Sequence, residues 1–185
     1  MNKSLKTNFR KLSNAELNRL APEEFKEAKK IPLVVVLDNI RSLNNIGSIF
    51  RTSDAFRIEE VFLCGITARP PHKDIRKTAL GATESVAWRY FDSTSEALSE
   101  LSAKNYKIAA VEQAENACDL NDFKIDYSSG LAVVFGHEIQ GVAQEVVDSC
   151  DVVIEIPQFG TKHSLNVAVS AGIVLWNLHG QFSSK

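Results

Sequence analysis

The chain is poor in the residues that staple small proteins together or anchor them in membranes. Only three of its 185 residues are cysteines, Cys64, Cys118 and Cys150, and they lie far apart without a C-x-x-C pair. This spacing predicts reduced cysteines in a cytosolic protein. No apolar run approaches the roughly 20 residues of a membrane span, and the N-terminus lacks the apolar segment of a signal peptide. We therefore expect a cytoplasmic protein with no membrane contact.

Positive charge is also scarce over the chain as a whole. Lys and Arg number 21 against 23 Asp and Glu, which gives a net charge of −2 and a pI near 6.1. This balance speaks against nucleic acid as a partner, but a local patch can still bind phosphates. Two patches are present, and each is either an RNA-binding surface or merely a solvated one. The candidate RNA-binding residues are Lys3, Lys6, Arg10 and Lys11 within the first 30 residues, and Arg69, Lys73, Arg76 and Lys77 further along.

The hydrophobic pattern predicts one α/β domain over residues 31–185, preceded by a short, basic, helical extension over residues 1–30. In the extension, Ser13-x-x-Glu16 fits a capping box, and Pro22 either ends a first helix or starts a second. Apolar strands then alternate with helices, which predicts a three-layer sandwich around a mainly parallel sheet. The predicted strands are 33–38, 60–65, 85–90, 107–112, 131–135 and 152–156, and the predicted helices are 45–56, 73–80, 94–104, 141–149 and 165–179.

Polar, glycine-containing segments follow three of the predicted strands. They are residues 44–51, 136–141 and 157–167. Packing does not require polar groups there, and the loop between a strand and a helix N-terminus is a common place to hold a ligand. The sequence therefore predicts a ligand site built from these segments.

Individual side chains in the three segments have functional and structural interpretations. Glu138, between two glycines after a buried strand, is not needed for packing, so it is a candidate for function. Ser164 is a possible N-cap of the last helix, which would leave Asn166 inside the first helical turn without a structural role. Asn45 is likewise a possible N-cap. We expect Arg51 near the same helix face, so that one helix end presents an amide and a guanidinium to a phosphodiester.

Several other ligand classes fit these segments poorly. Gly136 and Gly141 have the spacing of a P-loop, but Val142 stands where a P-loop needs its phosphate-binding Lys. No G-x-G-x-x-G follows a strand, which disfavours a dinucleotide-binding fold. His137-Glu138 lacks the second His of H-E-x-x-H. The histidines at 72, 137, 163 and 179 form no recognisable ligand set.

Taken in order, the three segments resemble the three motifs of the SpoU (TrmH-like) branch of the SPOUT RNA methyltransferases. The resemblance covers roughly residues 31–180. His137 departs from it, because relatives often carry Asn or another small polar residue there. The motifs are N-x-G-x-x-x-R at Asn45, Gly47 and Arg51, G-x-E-x-x-G at Gly136, Glu138 and Gly141, and I-P-x-x-G-x-x-x-S-L-N-V at Ile156 to Val167.

The resemblance implies a fold, a cofactor and partners. In this family a C-terminal deep trefoil knot forms the pocket for S-adenosyl-L-methionine, here from the loops 136–141 and 157–164. The family implies a homodimer and requires no metal. Many relatives carry an RNA-recognition domain before the catalytic domain, and we expect none in this sequence. The implied cofactor-binding residues are Phe135, Gly136, Glu138, Gly141, Ile156, Pro157, Gly160, Ser164, Leu165 and Asn166.

The resemblance also implies a reaction, methylation of a ribose 2′-hydroxyl of tRNA or rRNA, with tRNA favoured. Arg51 is the family's central residue, and we expect it to clamp phosphate and orient the hydroxyl, because a guanidinium does not lose its proton in proteins. Glu138 would position Arg51 or hold the substrate. Two alternatives stay open: an inactive RNA-binding protein of the same fold, and a Rossmann-type oxidoreductase. The implied catalytic residues are Asn45, Arg51, Glu138, Ser164 and Asn166.

Overall fold

The computed structural model describes residues 9–126 and 128–183, so Lys3 and Lys6 of the basic extension lie outside the described residues. A seven-stranded sheet forms its centre, in the order β3-β2-β1-β6-β4-β7-β5. Every neighbouring pair of strands is parallel, which confirms the predicted α/β class. The strands are β1 (Ile31–Asp38), β2 (Ile58–Cys64), β3 (Ala87–Phe91), β4 (Tyr106–Val111), β5 (Cys118–Asp119), β6 (Gly130–Phe135) and β7 (Val152–Glu155).

Helices cover both faces of the sheet, because central strands such as β1 and β6 carry apolar side chains on both sides. On one face α2, α3, α4 and α7 pack into a core that includes Phe50 and Leu175. On the other face α5 and α6 contribute Leu98 and Val146. The helices are α1 (Pro22–Glu27), α2 (Leu43–Ala55), α3 (Lys73–Ala79), α4 (Ala82–Ser85), α5 (Thr94–Ala103), α6 (Gln144–Asp148) and α7 (Val167–Ser183).

The extension contains two short helical turns near the positions that its capping signals predict. A single 3-10 turn, Asn14–Leu17, begins where Glu16 accepts a hydrogen bond from the backbone N–H of Ser13 at 2.8 Å. Pro22 starts α1, and Phe25 from α1 is buried in the core. The division of the chain at residue 30 stays a prediction.

Some predicted boundaries are wrong for local reasons. The strand predicted at 85–90 starts at Ala87, because α4 occupies the residues before it. The helix predicted at 141–149 shortens to α6, because Gly141 has a φ of 70° and its N–H closes a turn onto the carbonyl of His137 at 2.8 Å. The two-residue strand β5 is too short to give a hydrophobic pattern.

The three polar, glycine-containing segments lie at one edge of the sheet, because each follows the carboxyl end of a parallel strand. The chain leaves β1 towards α2 on one face and leaves the adjacent β6 towards α6 on the opposite face. Such a divergence between neighbouring strands opens a crevice where doubly wound folds bind ligands. The fold therefore places the segment before α2, the loop after β6 and the loop after β7 close together.

Candidate functional site

The carboxylate of Glu138 joins the loop after β6 to the start of α2. Its Oε2 accepts a hydrogen bond from the backbone N–H of Arg41 at 3.0 Å. Its Oε1 accepts from the backbone N–H of Ser42 at 2.9 Å and from Nδ2 of Asn45 at 2.9 Å. Such backbone amides at a helix start have no partner within the helix, so an anion there is stabilising. Glu138 forms no hydrogen bond with Arg51, so direct positioning of Arg51, one of its two expected roles, is not seen among the described residues.

Asn45 extends this network to the loop after β7. Its Oδ1 accepts a hydrogen bond from Nδ2 of Asn166 at 3.2 Å. Asn166 Oδ1 in turn accepts from the backbone N–H groups of Ala168 at 2.9 Å and Val169 at 3.3 Å, at the start of α7. The chain of contacts Glu138–Asn45–Asn166 therefore connects all three sequence motifs. We call it the Glu138 network.

Both N-caps suggested by the sequence are wrong. Ser42, and not Asn45, caps α2, because its side chain accepts from the backbone N–H of Asn45. Asn166, and not Ser164, caps α7, so Asn166 has the structural role that the sequence did not suggest. Asn45 lies within the first turn of α2, where its side-chain amide is available to the Glu138 network.

The Glu138 network keeps the carboxyl group ionised. Partial burial raises the pKa of Glu138, but the hydrogen bonds from Arg41, Asn45 and Ser42 outweigh burial, so its pKa is lowered from 4.5. A lowered pKa in the folded state adds stability above the unfolded pKa, and that stability is lost as the pH falls through the folded value. At neutral pH Glu138 is therefore an anion that accepts hydrogen bonds rather than an acid that donates a proton.

A cleft of about 280 Å³ opens beside the Glu138 network, between the loops that follow β4, β6 and β7. Of the predicted cofactor-binding residues, Pro157, Gly160 and Asn166 are not among the described residues that line it. Asn166 is committed to α7 and Asn45, and a Cβ at Gly160 would meet nothing within 4 Å. The predicted residues that do line the cleft are Phe135, Gly136, Glu138, Gly141, Ile156, Ser164 and Leu165.

The wall of the cleft formed by the loop after β6 requires a glycine. A Cβ at Gly136 would lie 2.1 Å from the backbone nitrogen of Val142 and 2.2 Å from the carbonyl carbon of Gly141. Both contacts are with backbone, so no side chain can move to relieve them. The first glycine of the second motif is therefore explained by the chain folding back on itself.

Two residues missed by the sequence analysis hold this wall in place. Glu112 Oε2 accepts a hydrogen bond from the backbone N–H of Val142 at 2.9 Å, and Gln113 Nε2 donates to the carbonyl of His163 at 2.6 Å. Glu112 and Gln113 follow β4 directly and also line the cleft. They link the loop after β6 to the loop after β7. The sequence does contain a signal for Glu112 and Gln113, because they form a polar pair at the end of a predicted buried strand. The three polar, glycine-containing segments were recognised by the same position after a strand.

The structure separates Arg51 from the Glu138 network. Arg51 is exposed on α2 and forms no hydrogen bond or ion pair with any described residue. It lies six residues after Asn45, which at about 100° per residue places the two roughly 120° apart around the helix. The expectation of a shared helix face is therefore wrong. Arg51 presents an unpaired cation to solvent, as a phosphate ligand does.

The second basic patch lies on α3 and, with Arg69, on the loop before it, next to the helix that carries Arg51. A Cβ at Gly47 would meet Thr78 Oγ1 at 2.1 Å and the Ile75 carbonyl oxygen at 2.3 Å, so this motif glycine allows α3 to pack closely on α2. Thr78 Oγ1 donates to the Asn44 carbonyl at 3.0 Å. The exposed α3 cations, Lys73, Arg76 and Lys77, form no ion pair with a described residue. The guanidinium of Arg69 stacks over Tyr90 at 4.3 Å.

Other chemistries find little support in the part of the chain that the structure describes. It contains no group of three or more His, Cys, Asp or Glu that is arranged to hold a metal ion. Burial raises the pKa of the Cys64 thiol to about 12 and that of Cys150 to about 11, so neither is a thiolate at neutral pH. No helix in residues 9–126 or 128–183 has both the length and the apolarity to cross a membrane.

Comparison with known proteins identifies the family to which this chain is similar. A family model described as the SpoU rRNA methylase family matches residues 32–176. A Staphylococcus haemolyticus protein named for the TrmH family of tRNA/rRNA methyltransferases is 32% identical over 154 residues, which are 83% of this chain and 61% of that protein. The chain thus spans about three fifths of the length of such relatives.

Solved structures agree with the sequence match. The A. aeolicus TrmH/SpoU tRNA modifying enzyme superposes with a TM-score of 0.76 at 27% identity, over 88% of this chain and 81% of that one. An S-adenosylmethionine-bound rRNA methyltransferase from Sinorhizobium meliloti gives 0.74 at 26% identity, over 86% and 60%. The family match covers well over half of the sequence and includes all three motifs. The chain therefore belongs to the SpoU rRNA methylase family.

Proposed function

We propose that this protein transfers a methyl group from S-adenosyl-L-methionine to a ribose 2′-hydroxyl of an RNA. The observation that carries the proposal is the Glu138 network, which draws the three family motifs together beside a cleft. The S. meliloti relative binds the same cofactor. Comparing thermal shifts with S-adenosyl-L-methionine and with NADH tests the proposal against the oxidoreductase alternative. Stabilisation by NADH alone would contradict it.

The residues of the cleft fit this cofactor. Leu165, Ile156 and Phe135 supply apolar surface for the adenine ring, and Gly136 lines the same cleft. Ser164 is exposed, and its hydroxyl forms no hydrogen bond with a described residue, so it can bind a polar group of a ligand. The bound cofactor would supply the electrophilic methyl group. Holding the cofactor and the ribose hydroxyl in the reactive orientation can lower the activation free energy by roughly 7–11 kcal/mol, so a site of this kind needs no metal.

Arg51 and the α3 cations provide the RNA side of the site. In this proposal Arg51 binds the phosphate next to the target ribose and orients its hydroxyl. Glu138, Asn45 and Asn166 hold α2, and thus Arg51, in register with the cleft. Lys73, Arg76 and Lys77 bind the neighbouring phosphates. Such contacts position an RNA without reading its bases.

Glu112 offers a direct test of how the cleft is held. We expect Glu112→Ala to weaken S-adenosyl-L-methionine binding about tenfold, because the buried N–H of Val142 loses its acceptor at a cost of roughly 1–3 kcal/mol. Isothermal titration calorimetry measures the affinity. Glu115→Ala, which removes a nearby exposed acid outside the cleft, is the control. Equal affinities in the two variants would contradict this role.

We propose tRNA rather than rRNA as the substrate, and the cytoplasm as the location. The support for an RNA bound through its phosphates is the sequence's basic extension, whose net charge is positive although that of the whole chain is −2. Deleting residues 1–21, which leaves α1 and its buried Phe25 in place, should weaken tRNA binding and flatten its dependence on salt, because phosphate contacts are lost. Filter binding across a salt series measures both quantities. An unchanged salt slope would mean that the extension is only a solvated surface.

We also propose that residues 136–141 and 157–164 belong to the trefoil knot of the family.

We further propose that the protein is a homodimer. An exposed apolar stripe on α7 consists of Val169, Ile173 and Trp176, and Trp176 is 66% exposed. A stable dimer buries on the order of 1,600 Å². Light scattering at micromolar concentration should give twice the chain mass of 20.4 kDa, and Trp176→Asp should give the single-chain mass. A wild-type protein at the single-chain mass would contradict the dimer.

A further inference from the structure

A second cavity lies in the crevice between β1 and β6, next to the cofactor cleft. Its volume is about 470 Å³, within the range of small-ligand sites. Asp38 and Asn39 border it at the end of β1, and His137, Gln140 and Gly141 border it after β6. Because the chain leaves these two strands towards opposite faces of the sheet, the cavity occupies the topological switch point of the fold. Asp38, Asn39 and Ile66 belong neither to the Glu138 network nor to the described residues that line the cofactor cleft.

The lining of this second cavity is unsuited to a phosphate. No Lys or Arg is among the described residues that line it. Asp38 is 2% exposed, and its carboxylate accepts from Thr94 at 2.5 Å, Asn39 at 2.8 Å and Ala143 at 3.2 Å. The lining therefore offers an acidic side chain and no cationic one, which disfavours an anionic ligand. A neutral ligand that carries N–H groups is favoured instead.

Ile66 gives the second cavity an apolar face. It is 64% exposed although it is a large aliphatic residue, and its backbone N–H is fixed by Asn39 Oδ1 at 3.1 Å. Asn39 and Gly65 are held together closely, since a Cβ at Gly65 would lie 2.2 Å from Asn39 Oδ1. An exposed apolar side chain on an anchored backbone, at the mouth of a polar cavity, suits a flat ring that stacks on it.

His137 and Gln140 supply the hydrogen-bonding edge. His137 Nδ1 accepts from the backbone N–H groups of Ile139 at 3.1 Å and Gln140 at 3.3 Å. A ring nitrogen that accepts carries no proton, so the neutral imidazole bears its proton on Nε2 and acts there as a donor. The Gln140 side chain is exposed and forms no hydrogen bond with a described residue. Both residues line the cofactor cleft as well, so the two cavities share a wall.

We propose that the second cavity receives the nucleobase of the target nucleotide, stacked on Ile66 and hydrogen-bonded by His137 and Gln140. This inference rests on the proposed function and locates the substrate within it. The base is the neutral, flat part of a nucleotide, and the shared wall sets it next to the cofactor. Its phosphates are left to the cations on α2 and α3. His137 is then a determinant of which base is accepted.

The test compares three full-length proteins, the wild type, Ile66→Ser and Leu80→Ser. Each is assayed for steady-state methyl transfer to unmodified tRNA, which is purified from cells lacking the gene. Leu80 is a matched control, because it is 65% exposed and lies outside both cavities. We expect Ile66→Ser to lower kcat/KM for tRNA about tenfold, as for the loss of a small apolar contact. Calorimetry should give the same cofactor affinity for all three proteins. Equal kcat/KM for Ile66→Ser and the wild type would overturn the inference.

If the wild type methylates no RNA, the proposed function is wrong, but the cavity can still bind a nucleobase. A second measurement tests that binding directly. Adenosine, cytidine, guanosine and uridine are titrated into the cofactor-saturated protein while amide NMR signals are followed. We expect at least one nucleoside to shift the signals of Ile66 and Gln140, and the Ile66→Ser variant to lose that response. If none of the four moves either signal, the cavity is not a base site.

Discussion

Replacing Arg51 with Ala should abolish methyl transfer and leave cofactor binding intact. We expect kcat to fall by at least about 100-fold, the usual effect of removing one charge-stabilising group from an active site. The affinity for S-adenosyl-L-methionine should not change, because Arg51 does not line the cleft and contacts no residue of the Glu138 network. Single-turnover transfer of labelled methyl groups to tRNA and calorimetry with the cofactor measure the two quantities separately.

Two further variants make the Arg51 result specific. Arg51→Lys keeps the positive charge but loses the planar fork that binds two phosphate oxygens, so it should recover only part of the rate. Lys124→Ala removes a surface cation far along the chain and should behave as the wild type. Cofactor affinity that collapses in Arg51→Ala would show that Arg51 belongs to the cofactor side of the site, contrary to our assignment.

The converse pattern is expected for Gly136→Ala, which should weaken cofactor binding and leave RNA binding intact. The new Cβ would overlap the backbone of Gly141 and Val142, so the whole wall of the cleft has to move. Forcing extra volume into a packed site costs about 1–3 kcal/mol, and we expect at least about a tenfold loss of S-adenosyl-L-methionine affinity. Binding of tRNA should persist, because the cations of α2 and α3 lie on other elements.

Gly180→Ala is the control for this substitution, because a Cβ at Gly180 meets nothing within 4 Å. Far-ultraviolet circular dichroism of both variants checks that each remains folded. A folded Gly136→Ala protein with wild-type cofactor affinity would mean that this loop does not form the cofactor site. Together, the Arg51 and Gly136 variants separate the RNA half of the reaction from the cofactor half.

The sequence predicted which segments meet, but not how their side chains pair. Asn45, Glu138 and Asn166 were all marked, because polar residues after buried strands have no packing role. Their hydrogen-bond partners could not be predicted from local sequence, because Asn45 and Glu138 are 93 residues apart and Asn166 and Asn45 are 121 residues apart. Glu112 was missed for the same reason. Its acceptor role depends on a backbone N–H 30 residues away.

The fold followed from local pattern wherever elements were long and apolar. Strands such as β1 and β6 were placed to within two residues, because buried parallel strands form continuous apolar runs. The helix caps were misassigned by two or three residues at Ser42 and Asn166. Several cap-forming residues stand in a row there, and only the three-dimensional path selects one of them. Pro157 and Gly160, marked by the family motif, belong to the loop without lining the cleft.

The central claim is tested most directly by the identity of the methylated nucleoside. The protein is incubated with methyl-labelled S-adenosyl-L-methionine and RNA from cells lacking the gene, and the RNA is digested completely to nucleosides. Our account predicts label in a nucleoside methylated on its ribose 2′-oxygen. Label found only in base-methylated nucleosides would contradict the ribose assignment, and cofactor binding without any labelled product would identify an RNA-binding protein that keeps the fold without turnover.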